Sequence, residues 1–164
     1  MSPSKHSEAC FSNLPAWTSW LVDDGYGKSE RNPNVGVLIE AKKGALGMSA
    51  DRRLRQILNR IERRESLIRS DLRNLYLTCM NLAGMDLRET NFEGARLNHG
   101  VLDRSDLINA NLANADLKNA SFQQANLTGA VFRNAIVSGA NFTEVKGLSP
   151  EVKNYLKAKG AVGL

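Results

Sequence analysis

Cysteine is nearly missing from this chain of 164 residues: Cys10 and Cys79 are the only two. They have no metal-ligand spacing and form no recognisable disulfide framework, which excludes a zinc-organised or cysteine-stapled miniature fold. A reduced, cytosolic setting is the default expectation. Histidine is equally scarce, with His6 and His99 alone. Phosphate-binding glycine loops, dinucleotide fingerprints, zinc spacings and nucleophile motifs are all lacking. These absences point away from an enzyme: no catalytic residue, cofactor site or metal site is expected. No apolar run approaches the length of a membrane span. Residues 1–15 include Lys5 and His6 but no apolar stretch of the kind a secretory signal needs. Aromatics make up 6% of the chain, and both tryptophans fall before residue 21.

What the chain has in abundance is a period of five. From residue 67 to residue 142 every fifth position is Leu or Phe, except Val137. Five fits neither standard element. On a helix it rotates the apolar residue by roughly 140° per step, and on a strand it flips faces each time. The chain must therefore turn a corner in every repeat to bring each large side chain back inside. Two residues earlier runs a column of mostly small residues, from Ser70 through Ala95 and Ala120 to Ala140. On an extended chain, positions two apart face the same way, so the interior takes one large and one small side chain per repeat. The position between them is often Asp or Asn, whose short polar side chains hydrogen-bond nearby backbone at corners. The remaining two positions are mixed and polar, as solvent requires.

This pattern resembles the pentapeptide-repeat family, with its consensus A(D/N)LXX. Three runs match it in full: Ala110-Asn111-Leu112-Ala113-Asn114, Ala115-Asp116-Leu117-Lys118-Asn119 and Ala125-Asn126-Leu127-Thr128-Gly129. The resemblance covers residues 66–145 and implies an all-β solenoid, a right-handed quadrilateral β-helix of four repeats per coil. Fifteen repeats then give nearly four coils, a tube roughly 18 Å long at about 4.8 Å between stacked strands. The family abounds in cyanobacteria, and the chain reads as a member of cyanobacterial type. Most members have no known enzymatic activity, and some act in regulation through protein contacts.

Around the repeats lie non-repetitive segments. Residues 1–48 form an arm with an aromatic cluster that includes Phe11, Trp17 and Trp20. A folded hairpin, a tail along the solenoid and a disordered arm are all open. Residues 49–65 read as an amphipathic capping helix: Leu54, Ile57, Leu58 and Ile61 make one stripe, with Ser49 suited to the N-cap. Its other faces hold Arg52, Arg53, Arg55, Arg60, Arg63 and Arg64. They are either a solvated outer face or a surface for nucleic acid, anionic lipid or an acidic partner. Residues 146–164 read as a C-terminal capping helix and tail, opened by Ser149-Pro150-Glu151 and ended by Gly160.

Four repeats per coil stack residues twenty apart. Arg73 then adjoins Glu93, Arg96 adjoins Asp116, and Asp86 adjoins Asp106. Cys79 adjoins His99, the one pair that could do nucleophilic chemistry, and only with a depressed thiol pKa, an orienting third group and a pocket. Val101, Val131 and Ile136 break the polar pattern outwardly, as a docking patch or as a surface covered by a terminal segment. The leading expectation is a non-catalytic scaffold or regulatory factor in the cytoplasm, which binds an as yet unidentified protein through its β-helix and aromatic arm. The alternatives are a topoisomerase-interacting mimic of DNA, as in one branch of the family, and binding of nucleic acid or an anionic surface by the arginine helix. Charge disfavours the mimic: residues 71–145 hold a net −2, the flanks are basic, and the pI is about 9.4. Few aromatics stand among the arginines, which disfavours nucleic acid. End-to-end dimers occur in the family, and the apolar C-terminal tail would allow one here.

Overall fold

The computed structural model describes residues 48–164. The repeat region winds into four complete coils that start at Leu67, Leu87, Leu107 and Leu127, each with four sides. One parallel ladder joins each side to the side twenty residues on, as in Asp71↔Asn91↔Asn111↔Val131 and Tyr76↔Arg96↔Asp116↔Ile136. A side in the middle of the tube makes three backbone bonds with the coil above it, one of them from its turn, where Asn109 N–H donates to the Thr128 carbonyl at 2.8 Å. Leu107 N–H donates to the Asn126 carbonyl at 2.9 Å, and Asn126 N–H donates back to Ser105 at 3.0 Å. The sides are too short to be more than single bridges, because a β-turn follows each central residue. Every turn has a left-handed residue at its third position, from Arg69 to Glu144. Glycine or asparagine takes it most cheaply.

The interior is the large-and-small arrangement read from the period. All the central Leu, Phe and Val side chains are buried, as are Ala95, Ala110, Ala115, Ala120, Ala125 and Ala140 beside them. Where the small column is polar, the hydroxyl is satisfied: Thr90 Oγ1 donates to the Leu67 carbonyl at 2.7 Å, and Ser105 Oγ to that of Leu102. Towards the C-terminal end the core turns aromatic. Phe122 and Phe142 stack at 4.9 Å, and Phe132 stands edge-on to both.

Helix α1 (Met48–Glu62) lies over the first coil with Leu54, Ile57, Leu58 and Ile61 buried. It is already under way at Met48, so Ser49 lies within its first turn and not at the N-cap. It stops at Glu62, short of residue 65, because Arg64 turns left-handed at φ 55°. Glu65 N–H then closes on the Arg60 carbonyl and Arg64 N–H on that of Ile61, a Schellman ending. Helix α2 (Pro150–Ala158) opens on Ser149, whose Oγ accepts from Val152 N–H, and buries Leu156. It ends in the same motif, with Gly160 left-handed. The tail then returns to the last coil, where Val162 bridges Asn141.

Candidate interaction surface

The outer face is built from corner chemistry. Where Asp or Asn precedes the central residue, its Oδ1 accepts the N–H two residues on, as at Asp71, Asn81, Asn91, Asn111 and Asn141. Salt bridges run along the same columns. Arg69 pairs with Glu89 at 2.7 Å, and the guanidinium holds the Glu89 carboxyl below its ordinary value. Asp86 and Asp106 are neighbours as expected, and Arg88 relieves the repulsion. It binds Asp86 at 2.8 Å, lowering the Asp86 pKa, and comes within 3.9 Å of Asp106. Arg96 stands beside Asp116, and Arg73 one coil from Glu93, as expected, but both guanidiniums make their side-chain contacts elsewhere. Arg73 bonds Asp71 on its own strand rather than Glu93, because two residues along one strand is the shorter reach. Arg96 lies over the Tyr76 ring, 4.7 Å from its centroid.

Three of the six arginines in and just after α1 are ties to the first coil. Arg53 donates to Asp71 at 3.2 Å and to the Arg73 carbonyl at 2.9 Å. Arg60 reaches Ser70 Oγ and the Ser66 carbonyl, and Arg64 reaches that of Ala83. Arg52 is exposed, and Arg55 is engaged. Three of these acceptors are backbone carbonyls, of Arg73, Ser66 and Ala83, which no residue pattern displays, so the sequence alone shows the arginines only as an outer basic face.

The three outward apolar residues part company. Val101 is half-buried, whereas Val131 is 46% and Ile136 54% exposed. Both sit in the position that Asp or Asn holds one coil below, and neither has an oxygen to close its corner. Between them Asn134 N–H donates to Tyr155 Oη of α2 at 3.2 Å, so the partly exposed tyrosine sits at the corner they flank. Val162, 52% exposed, lies on the returning tail. A shallow hollow lined by Phe132, Arg133, Glu151, Val152 and Tyr155 opens beside α2. Five basic and two acidic residues, a net +3, fall in residues 131–164.

Cys79 is disulfide-bonded, against the expectation of reduced thiols. That removes the thiolate a Cys79/His99 pair would need. Phe11, Trp17 and Trp20 lie outside the described residues. Among the described residues no helix is long and apolar enough to cross a membrane.

Comparison with known proteins agrees with this architecture. The family model for pentapeptide repeats matches residues 66–104 and 105–143, with 8 copies. Among solved structures, a pentapeptide repeat protein from Nostoc Pcc 7120 is 28% identical, with 60% of this chain and 82% of that one covered and a TM-score of 0.51. A pentapeptide repeat protein from the Arabidopsis thaliana thylakoid lumen is 29% identical over 58% of this chain and 78% of its own, with a TM-score of 0.35. One from the cyanobacterium Cyanothece 51142 is 30% identical over 50% and 60%, with a TM-score of 0.38. No curated protein matches. Through residues 66–143, the chain belongs to the pentapeptide repeat family.

Proposed function

We propose that the protein is a non-catalytic interaction module, a right-handed β-helix that docks another protein with its C-terminal end. The observation that carries this is the pair Val131 and Ile136. Each gives up a corner hydrogen bond of about 0.5–1.5 kcal/mol that Asn111 and the Asp116 carboxylate keep one coil below. Neither recovers that loss by burial, since about half of each side chain faces solvent. Departures from a local rule with no structural compensation mark functional positions. The partner chemistry follows from the surroundings: apolar side chains for Val131, Ile136 and Tyr155, flanked by carboxylates for Arg133 and the lysines of the C-terminal segment. A second copy would bring its own net +3 to the same end, so a different protein is the better match.

Restoring the repeat pattern separates function from folding. Val131→Asn with Ile136→Asp should melt at the same temperature as the parent or higher, because both corners close. The same variant should lose the partners recovered by affinity capture with the parent protein. If it keeps them, this end is not the docking surface.

A further inference from the structure

We propose that an extended segment of the partner protein adds as a strand to the open end of the Val131 ladder, beside α2. This rests on the reading of the C-terminal end as the docking surface, and it gives the partner's backbone a part in that contact. Four parallel ladders run up the tube. Two of them end on the chain itself, where Lys146 bridges Asn126 and Val162 bridges Asn141. The other two end at Val131 and Ile136. There α2 stands in place of the next two sides, and among the described residues it forms no bridge with them. Its Tyr155 Oη takes the corner amide of Asn134 and leaves the ladder groups alone.

The bonds one coil below define what is missing. Val131 N–H donates to the Ala110 carbonyl at 3.0 Å, and Leu112 N–H donates to the Val131 carbonyl at 2.8 Å. The same two groups one coil on are the Ala130 carbonyl and the Phe132 N–H. Neither has a partner among the described residues. An open edge of this kind is a template for an added strand. One residue of that strand, about 4.8 Å above Val131, would donate to Ala130 and accept from Phe132. The side chains suit such an occupant. Val131 is β-branched, apolar and exposed, in a column that holds Asp71, Asn91 and Asn111 below it. An apolar side chain directly opposite would pair with it. Two residues further along, the added strand would stand over the exposed Arg133, where an acidic side chain is the match. The hollow between Phe132 and Arg133 on the tube and Glu151, Val152 and Tyr155 on α2 lies along this ladder. It seats the strand here rather than on Ile136.

The probe is a phage library of linear dodecapeptides panned on the full chain, with the selected sequence then synthesised. Selected sequences should share an apolar residue two positions before an acidic one. In amide hydrogen exchange read by NMR, Phe132 should exchange roughly tenfold or more faster than Leu112 in the free protein, and should slow by a similar factor with peptide bound. N-methylation of the apolar residue removes its bond to Ala130 and should weaken binding about tenfold. N-methylation of the next residue, whose N–H points away from the edge, should leave binding unchanged. A Phe132 amide that stays fast in the complex, equal binding of both N-methylated peptides, or a library that yields no binder overturns strand addition. A Phe132 amide already protected in the free protein, whether by the chain itself or by a dimer seen in sedimentation, overturns it too. Val131→Asn with Ile136→Asp separates the two readings. If that variant loses the peptide while N-methylation has no effect, the docking surface stands and the added strand falls. If N-methylation abolishes binding and the variant binds as well as the parent, the strand stands and the apolar pair falls.

Discussion

Three corners of the solenoid pair an asparagine with a glycine one coil above it: Asn74 with Gly94, Asn109 with Gly129, and Asn119 with Gly139. A Cβ on any of these glycines would land on the asparagine Oδ1 below. Gly84 shares their left-handed φ but has nothing within 4 Å of such a Cβ. Alanine at Gly84 should therefore cost only the left-handed strain, about 1–2 kcal/mol. Alanine at Gly129 should cost roughly 2–3 kcal/mol, because Asn109 must also move. Urea denaturation checks this, and adding Asn109→Ala to Gly129→Ala should recover the second part. The pairs can be read from the sequence once the twenty-residue coil is known. Asp103 could not be found that way. It stands on the solvent side of its repeat, yet its Oδ1 accepts from Ser121 Oγ and from Gln123 N–H one coil on. It thus closes the corner that Ser121, in place of Asp or Asn, leaves open. A consensus read within one repeat cannot show a bond made between coils. Asp103→Ala should destabilise by about 1–3 kcal/mol, because the buried Ser121 hydroxyl loses its acceptor. The corresponding change at Asp116, whose bond is local and half-exposed, should cost less.

At the scale of elements, the first coil is held to α1 by a buried stripe and by arginine ties, and these respond differently to pH. Leu58→Ala removes a fully buried side chain and should cost about 2–5 kcal/mol at any pH. The tie through Asp71 titrates. Its hydrogen bond from Arg73, with a smaller contribution from Arg53, holds the carboxyl down to about 2. A depressed folded-state pKa means that the pairing stabilises the fold above the unfolded carboxyl value of about 3.9, and that this is lost as pH falls towards 2. The Asp71 side chain is 41% exposed, so the pairing is worth at most about 1 kcal/mol. Asp86 and Glu89 are lowered in the same sense. Stability should therefore drop between about pH 4 and pH 2, and Asp71→Asn should flatten part of that slope. Carboxyl NMR of Asp71 in the parent should give a midpoint near 2, and in Arg73→Ala a higher one. The apolar stripe of α1 was plain in the sequence because helical spacing shows it. The ties were not: Arg73 had two carboxylates in reach, and rotamer reach rather than register decided between them.

For the whole molecule, the period of five makes a sharper statement than the coil of twenty. Each side of the tube is one repeat, and every coil touches only its neighbours. Removing residues 107–111 takes out one side and leaves every remaining Leu or Phe pointing inward, since Leu112 then stacks on Leu87 in place of Leu107. Removing residues 107–110 instead shifts each later repeat by one position relative to the coil below it. The side that follows Leu102 then holds one residue too many, six in place of five before Leu112, and a polar residue meets the core where that side must close. The five-residue deletion should fold, with a melting temperature lowered by several degrees through the loss of Leu107 and of the bond between Asp103 and Gln123. The four-residue deletion should fail to fold cooperatively, and circular dichroism melts distinguish the two. The shorter tube also serves as a functional ruler. It turns Val131, Ile136 and α2 a quarter-turn relative to α1 while leaving their own surroundings intact. A partner that docks on the C-terminal end alone should bind the five-residue deletion as well as the parent. A partner that spans both ends should lose it, because its two footholds would then face different sides.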